Sequence, residues 1–540
     1  MRRMIHIELA EIFQSQQLPF TMSLLDESEG DRGTVPGITA GVKQCEQTKI
    51  FQDSIHGAIE LHPLLVKFID TPQFQRLRDI KQLGGVYYVY PGASHNRFEH
   101  SIGVCYLAGV FIEQLRERQP ELGITDREVL CVKIAGLCHD MGHGPFSHLF
   151  QDLFMTKTNP KLKWRHEETS KELLKHLVEV NNLHDQLSKY GLDWKKDSLF
   201  IFDLMKGKTE GFDEKSFLYE IVANGISGVD VDKMDYLLRD CHGLGMKSTF
   251  DWKRYMLCCR VIQAGEDNQY RICPREKEYE SLWEMFHMRD RLFRTAYQHK
   301  TKRLVEFMLN DALVKADPFL LIRTKSDGLV KMSKAIGHMD AFTLLTDSVF
   351  YRIKTSNDPD LHESQELLER VEKRDLYTYI DRFLVKESEP STPTNPRVTS
   401  TTLRPDNTGI ETRIAELACE SNGIQETVTR MKEMIKLDVR QLIIVFSMLF
   451  LQQVHFNFGE NKGPNPIDRV YFYMKNSPDK PVLIKSTQTP GTFFPNHKDF
   501  EYRLYCKSKD ESIIEAIRSG LVKFCKERKH AFEIPPGEDI

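Results

Sequence analysis

Hydrophobic side chains recur at helical spacing over most of the first two thirds of the chain. In the segment HSIGVCYLAGVFIEQLRER, Ile102, Cys105 and Val110 follow a period of about 3.6 residues. Asn96, just before this segment, is a residue type that commonly caps helices. The segments TSKELLKHLVEV and SLWEMFHMRDRLFRTAYQHKTKRLVEFML predict helices for the same reason, and few segments alternate as strands do.

Changes in this pattern divide the chain into four parts. Residues 1–48 are polar and predict a mostly disordered tail, whereas residues 49–384 predict one helical core. Residues 385–410 are rich in Ser, Thr and Pro, which is typical of a linker or loop. Residues 411–540 include the alternating segments IDRVYFYMK and FEYRLYCKS. The predicted fold is therefore mainly α, with a helical core and a smaller mixed α/β C-terminal lobe.

Composition and charge narrow the class of protein. The 540 residues are 40% hydrophobic and 28% charged, and the net charge of −4 gives no global basic field for nucleic acid. The 11 cysteines have irregular spacing without a CxxC pair, which indicates reduced thiols. The apolar run at Leu442–Leu451 is shorter than the roughly 20 residues of a membrane helix, and the N-terminus lacks a secretory pattern. We expect an intracellular protein, nuclear or cytoplasmic, that is neither secreted nor membrane-spanning.

The segment CHDMGHGPFSH concentrates ionisable side chains after an apolar helix. His139 and Asp140 follow VKIAGLC, and His143 comes four residues after His139, so we expect both imidazoles on one helical face. Glycines and a proline then break the helix before His148. Such a dense buried group needs charge compensation, which a metal can supply. The alternative is a polar helix end without a metal.

A second His-Asp pair in the chain provides a comparison. His184–Asp185 lies in a polar helical stretch, so we expect a solvated surface pair there.

Two distant segments could complete the site. ASHNRFEHSIG offers His95, Arg97 and His100. GVDVDKMDYLLRD, if helical, places Asp232, Tyr236 and Arg239 on one face and Lys233, Tyr236 and Asp240 on an overlapping face. Acids, a lysine and a tyrosine suit a metal-bound phosphate with its sugar. An exposed, salt-bridged helix is the alternative.

The order of these residues resembles the H…HD…D pattern of the HD phosphohydrolase superfamily. The segments IHGAIELHPLLVKFIDTPQFQRLRDIKQLGGVYYVYPGASHNRFEHSIG and AYQHK more closely resemble the animal deoxynucleoside triphosphate (dNTP) triphosphohydrolases that carry SAM and HD domains. The resemblance covers about residues 49–384 and, more weakly, the C-terminal lobe through NPIDRVYFY. It implies a helical HD-domain core that hydrolyses dNTPs to deoxynucleoside and triphosphate and so limits cellular dNTP pools.

The resemblance implies a role for each residue that matches the family motifs. A transition metal (iron, manganese or zinc) would be bound by two histidines and two aspartates, a donor set that suits these ions: His100, His139, Asp140 and Asp232. Mg²⁺ or Mn²⁺ would accompany the nucleotides. His148 would protonate the 5′ oxygen as general acid, with support from His143 and His166.

Substrate contacts also follow from the resemblance. The phosphates would be held by Arg97, Lys233, Tyr236 and Arg289. The sugar would be selected by Gln82 and Asp240 at the 3′ hydroxyl, and by Leu83 and Tyr297 where a 2′ hydroxyl would sit. Gln298 would lie near the base. For Tyr297, plain core packing is the alternative.

The family is activated by GTP or dGTP and by dNTPs that assemble a homotetramer. The first activator site matches at Lys49, Asp70, Gln75 and Arg78. The second matches at Arg254, Arg275, Lys277 and Lys300, but Gln52, Cys258 and Ser281 replace the usual Asn, Phe and Asn. Activator preference is therefore expected to differ.

Other departures concern neighbouring positions. Gln151 stands where the family has an acid, beside Asp152, and Phe293 replaces a histidine near the base. No SAM domain is expected within residues 1–48, and both the linker 385–410 and QLIIVFSMLFLQQ differ from the family.

Two alternative functions stay open. One is an HD phosphodiesterase with another nucleotide substrate. The other is a scaffold or single-stranded nucleic-acid-binding protein with weak or lost turnover, in which the basic segments KERKH and KTKR contact phosphates. Solvated helix faces are the simpler interpretation of both segments.

Overall fold

Two helices at the centre of the fold bring the predicted site together. Helix α3 (Arg97–Arg118) is buried along most of its length and packs along α4 (Asp126–Cys138). As predicted, α3 begins after Asn96, whose backbone N–H donates to the Glu99 carboxylate at 2.7 Å. The Thr125 side chain caps α4 in the same way. His100 on α3 and His139 at the end of α4 therefore lie in neighbouring elements.

The computed structural model describes residues 48–207, 215–325, 328–385, 449–456, 466–484, 499–515, 517–518 and 532–533. The other helices of these residues are α1 (Pro63–Ile69), α2 (Pro72–Gln75), α5 (Thr156–Thr158), α6 (His166–Val180), α7 (His184–Lys189), α8 (Trp194–Lys206), α9 (Val231–Gly243), α10 (Trp252–Leu257), α11 (Tyr279–Leu292), α12 (Lys300–Ala316), α13 (Met339–Thr343), α14 (Val349–Lys354) and α15 (His362–Glu372). None of the helices in these ranges is long and apolar enough to cross a membrane.

The strands form small antiparallel sheets. They are β1 (Lys49–Asp53), β2 (Gly57–Leu61), β3 (Cys259–Ala264), β4 (Gln269–Pro274), β5 (Leu321–Arg323), β6 (Leu329–Lys331), β7 (Thr378–Val385), β8 (Leu449–Phe456), β9 (Tyr471–Met474), β10 (Ser477–Leu483), β11 (Asp499–Cys506) and β12 (Phe532–Glu533). Four two-stranded sheets pair consecutive strands, and a four-stranded sheet has the order β12-β7-β11-β8. The prediction of a mainly α fold with a smaller strand-containing C-terminal region is confirmed.

The C-terminal sheet joins residues from both sides of the predicted linker. Strand β7 pairs with β11, and Phe450 of β8 stacks on Phe307 of α12 with ring centroids 5.2 Å apart. Of the apolar run Leu442–Leu451, the part from Leu449 onward is strand, and the rest lies outside the described residues, as does most of 385–410. The four domain boundaries stay predictions.

One predicted helical stretch is interrupted beside the site. Helix α11 passes into a π-helical turn at Phe293–Tyr297, and α12 begins after His299, whose ring accepts a hydrogen bond from the Thr301 N–H. π-helical turns often occur at functional sites. This one presents Tyr297 and Gln298, two predicted substrate contacts, between the helices.

Arg76 stabilises the turn that follows α4. Its buried guanidinium donates to the carbonyls of Met141 and His143, each at 2.9 Å, and to that of Leu345. Burial lowers the pKa of Arg76 to about 9, against the favourable charge of Asp347. Three backbone carbonyls from two separate segments thus share one cation.

We expect Arg76→Leu to lower the free energy of unfolding by about 3 kcal/mol, because buried carbonyls lose their donor. Urea denaturation followed by helical circular dichroism measures this change. Arg165→Leu is the control, since that side chain is 67% exposed and should shift stability by only about 0.5 kcal/mol. Equal effects of the two variants would contradict the assigned role of Arg76.

Candidate metal centre and active site

The four predicted metal ligands come from α3, from the end of α4 with the turn after it, and from α9. The Nε2 atom of His100 lies 3.1 Å from Oδ1 of Asp232 and 3.4 Å from Oδ2 of Asp140. The Nε2 atom of His139 lies 3.4 Å and 3.5 Å from the same two oxygens. Donor atoms that each lie 2.0–2.2 Å from one ion are separated by about 3 Å, so this spacing fits a shared metal.

The tautomers of both histidines are set by hydrogen bonds on the far side of the ring. The Nδ1–H of His139 donates to the Gly136 carbonyl at 2.9 Å, and that of His100 donates to Asp235 at 2.8 Å. Both Nε2 atoms are buried without a hydrogen-bond partner and carry the free lone pair. Two neutral imidazoles and two carboxylates balance a divalent cation, so the residues fit the metal that the resemblance implies.

The electrostatic field at this point favours positive charge. Burial would lower the pKa of His100, but the neighbouring carboxylates of Asp140, Asp232 and Asp235 outweigh burial and raise it well above its usual value. For His139, neighbouring carboxylates likewise overcome burial and raise the pKa. A field that attracts a proton to these rings attracts a metal cation for the same reason.

The turn after α4 differs from the prediction. Because α4 ends at Cys138, His139 and His143 do not share a helical face, and that prediction is wrong. The chain turns sharply here and approaches α6 closely at Gly142. A Cβ at this position would lie 2.1 Å from the His166 carbonyl oxygen, so only glycine permits the approach. Asp140 then spans two groups: Oδ2 faces the metal ligands, and Oδ1 lies 3.5 Å from His143 Nε2 and 3.9 Å from His166 Nε2.

The three predicted catalytic histidines lie together. The rings of His143 and His166 stack with centroids 3.8 Å apart, and His148 lies 5.1 Å and 5.8 Å from them. Burial lowers the pKa of all three, that of His166 to about 4. Burial therefore favours the neutral form of each ring, and the charge of a bound anionic substrate would favour its protonation.

A strained turn places His148. Phe146 and Ser147 both have φ of 57°, a left-handed conformation that costs about 1–2 kcal/mol per residue. Two long-range hydrogen bonds offset this cost. The Phe146 N–H donates to Asp347 at 2.6 Å, and the Ser147 hydroxyl donates to the Lys81 carbonyl at 2.7 Å.

Gln151 holds His166 from a second π-helical turn, Phe150–Met155. Its amide oxygen accepts hydrogen bonds from the backbone N–H of His166 at 3.0 Å and from its Nδ1–H at 2.8 Å. The amide thus orients the ring as a carboxylate could, but without the negative charge. Asp152, next to it, instead raises the pKa of His148 against the larger effect of burial.

Arg97 and Gln82 lie beside the metal ligands. The Arg97 guanidinium donates to Asp140 at 2.5 Å, to the Ser147 hydroxyl at 3.1 Å and to the Gln82 carbonyl at 3.3 Å. The side-chain oxygen of Gln82 is buried without a hydrogen-bond partner. A cation and an unsatisfied amide therefore border the same centre.

Residues predicted to contact the sugar form a second cluster. Asp240 accepts from His95 Nε2 at 2.8 Å and from the Tyr297 hydroxyl at 2.5 Å. Tyr297 and Leu83 pack on one small apolar group with Val86. Tyr297 thus combines the predicted sugar contact with the core packing that was its alternative.

The remaining predicted substrate contacts are Lys233, Tyr236, Arg289 and Gln298. Lys233 lies 3.1 Å from Asp230, the residue that caps α9. Burial raises the pKa of Tyr236, and the nearby positive charges of Arg289 and Lys233 oppose that rise. Gln298 accepts from Arg303 at 3.1 Å and from Gln452 of the C-terminal sheet at 3.0 Å.

The first predicted activator group is assembled within the chain. Lys49 lies 3.5 Å from Asp70, and Arg78 donates to Gln75 at 2.7 Å while its guanidinium covers the Phe98 ring. Gln75 also donates to the Ile69 carbonyl, which adjoins Asp70.

The second predicted activator group centres on the buried Glu278. Arg254 lies 3.0 Å from its carboxylate, and the Ser281 hydroxyl donates to it at 2.9 Å. Burial and Glu278 raise the pKa of the Cys258 thiol, and the charges of Lys277 and Arg254 oppose this rise. Cys258 and Ser281, two positions at which this chain departs from the family, thus both contact the Glu278 carboxylate. Arg275 pairs with Glu276, and Lys300 lies 5.5 Å from the Tyr379 ring.

Two surface predictions have different outcomes. His184 is 46% exposed and pairs with Glu179, so the solvated His-Asp pair is confirmed. In KTKR, Lys302 and Arg303 both pair with the buried Glu306, so only Lys300 of its cations is an exposed residue. KERKH lies outside the described residues.

The sequence did not identify Asp235 and His56 as parts of the site. Asp235 contacts the ligand His100 and also accepts from His56 at 2.7 Å. Arg239, expected beside Asp232 and Tyr236, instead pairs with Asp235 and Asp53. The available signal was the spacing of Asp235 and Arg239, four residues apart on one helix.

A His, His-Asp, Asp ligand set presented by a helical core, with further histidines beside it, defines an HD-type metal-dependent phosphohydrolase site. A family model described as the HD domain matches residues 97–240, which span all four ligands and imply a divalent metal.

Comparison with characterised proteins narrows this class. Deoxynucleoside triphosphate triphosphohydrolase SAMHD1 of Gallus gallus is 42% identical over 523 residues, 93% of this chain and 79% of its own length. The Homo sapiens protein of that name is 42% identical over 504 residues, covering 91% and 75% of the two chains. The SAMHD1 homolog of Dictyostelium discoideum is 34% identical over 497 residues, covering 92% and 85%. The chain belongs to the SAMHD1 family.

We expect His139→Ala to lose bound metal, while His184→Ala retains it, because only the first histidine faces the carboxylate pair. Elemental mass spectrometry after dialysis measures the ion bound per chain. The loss should exceed the roughly 10- to 100-fold drop in affinity that changes around a ligand produce. Equal metal content in the two variants would refute this metal centre.

Proposed function

We propose that this chain hydrolyses dNTPs to deoxynucleoside and intact triphosphate at the centre formed by His100, His139, Asp140 and Asp232. The observation that carries the proposal is the convergence of these ligands beside three clustered histidines and the Asp240–Tyr297 pair. Membership of the SAMHD1 family supports the same reaction, since its members' names state a dNTP triphosphohydrolase activity.

Each group of residues has a separate task in this reaction. His100, His139, Asp140 and Asp232 would hold an iron, manganese or zinc ion, which would supply Lewis acidity and activate water, with Mg²⁺ or Mn²⁺ accompanying the nucleotide. Arg97, Lys233, Tyr236 and Arg289 neutralise the phosphates. His148 donates a proton to the departing 5′ oxygen, and His143 and His166 position it.

Sugar selection follows from the second cluster. Asp240 and the buried amide of Gln82 offer hydrogen bonds to a 3′ hydroxyl. Leu83 and Tyr297 share one apolar group, so a 2′ hydroxyl between them would lose water without gaining a partner. The site therefore favours deoxyribonucleotides, with Gln298 beside the base.

The proposal includes activation by GTP or dGTP and by dNTPs, with assembly of a homotetramer and a role in limiting dNTP pools. The paired residues Lys49–Asp70 and Gln75–Arg78 support the first activator site. At the second, Cys258 and Ser281 give Glu278 small polar neighbours, so we expect a changed activator preference there.

In a product assay with dGTP, GTP and Mn²⁺, we expect deoxyguanosine and triphosphate, because cleavage at the α-phosphate leaves the triphosphate intact. Chromatographic separation of the products measures this. With dATP as the substrate, the rate should be lower without GTP than with it, since no guanine nucleotide is then present as activator.

The double variant His139→Ala/Asp140→Ala is the control and should form no product. Monophosphate with pyrophosphate would instead indicate a phosphodiesterase of the same superfamily. Absence of turnover in metal-loaded oligomers would favour the scaffold alternative.

We expect His148→Gln to keep its metal but to slow turnover about 100- to 10,000-fold, because glutamine cannot deliver the proton to the leaving oxygen. Steady-state rates, paired with metal analysis of the same samples, separate the two effects. A wild-type rate in this variant would remove His148 from the role of general acid.

A further inference from the structure

Behind the metal ligands, Asp235 is the centre of a buried polar network. Its side chain and that of His56 are both 0% exposed. Oδ2 accepts from His100 Nδ1 and from Arg239 Nε, each at 2.8 Å. Oδ1 accepts from His56 Nε2 at 2.7 Å and from the other side of the Arg239 guanidinium at 2.9 Å. Four donors thus fix both oxygens of one carboxylate.

Asp53 completes the network from β1. It accepts from Arg239 at 3.0 Å and from the backbone N–H of His56 at 2.9 Å. Asp53 and Asp235 are therefore two buried carboxylates on one guanidinium, but the hydrogen bond to His100 comes from Asp235 alone.

The hydrogen bond to His100 decides which ring nitrogen is free. An ionised carboxylate can only accept, so the proton of His100 must be on Nδ1. Nε2 then carries the lone pair and faces Asp140 and Asp232 at 3.4 Å and 3.1 Å. A carboxylate behind a ligating histidine also makes the ring a stronger donor to the metal.

Helix α3 packs so closely on α9 at Gly103 that no side chain fits between the two helices. A Cβ on Gly103 would lie 2.0 Å from Oδ1 of Asp235 and 2.6 Å from the Arg239 guanidinium. Glycine at 103 is therefore required for the carboxylate to reach His100. A Cβ on Gly109, on the same helix, would meet only the flexible end of Lys133.

We propose that Asp235 is a positioning residue of the metal centre, which holds His100 in the tautomer and orientation needed for coordination and so sets the metal affinity without touching the ion. The proposal rests on the metal-dependent function above. It assigns to Arg239 the task of holding Asp235 in place, and to Asp53 only the pairing with Arg239.

The test compares Asp235→Asn with Asp53→Asn in the full-length chain. Both variants replace a buried carboxylate on Arg239 by an amide of the same size, and only the first alters the bond to His100. Mn²⁺ is titrated calorimetrically into protein stripped with a chelator, and the unfolding midpoint of the stripped protein is recorded alongside. We expect both variants to unfold earlier than wild type, but only Asp235→Asn to bind Mn²⁺ about 10- to 100-fold more weakly.

Gly103→Ala, with Gly109→Ala as its control, makes the same comparison if Asp235→Asn does not fold. The methyl group at 103 displaces the carboxylate without removing it, so Mn²⁺ binding should weaken in this variant alone. Mn²⁺ binding by Asp235→Asn as tight as that of Asp53→Asn would overturn the role of Asp235, and so would equal binding by the two glycine variants. Failure of the wild type itself to bind Mn²⁺ would overturn the metal-dependent function as well, so the two failures are distinguishable.

Discussion

Charge buried in a helical core must be balanced at hydrogen-bonding distance, and the centre of this protein is built around that requirement. Arg239 lies between Asp53 and Asp235, Arg97 lies on Asp140, and His100 lies among three carboxylates. Apart from the pair of Arg239 with Asp235 within α9, these contacts join elements that are distant in the sequence. The ion pairs that stabilise these buried charges therefore also fix how α3, α4 and α9 pack.

Irregular backbone adds what straight helices cannot provide. The two π-helical turns carry Gln151 and Tyr297, and the left-handed turn before His148 is held by Asp347 and Lys81. A regular helix would distribute these side chains around its axis. The departures from regularity instead direct them toward one centre, where the predicted catalytic histidines and the predicted sugar contacts lie.

Local order and spacing marked the segments that hold the candidate ligands, and the family resemblance selected His100, His139, Asp140 and Asp232 among them. His100 lies one turn into a capped helix, and Asp232 and Asp240 follow the helical repeat of α9. The end of α4 was not predictable, since the sharp turn depends on contacts that Gly142 makes with α6. Nor was the role of Asp235, because its partner His56 lies 179 positions earlier in the chain. Sequence patterns show which residues share an element, but the partners across elements are set by packing.

The hydrogen bonds that hold Gln298 can form only late in the synthesis of the chain. Its side chain accepts from Gln452, and its backbone carbonyl accepts from Arg503 of β11. The helices that present the metal ligands are complete once residue 243 has been synthesised. The partners of Gln298 emerge from the ribosome more than two hundred residues later. A growing chain can thus assemble its metal ligands long before it can close the pocket beside them.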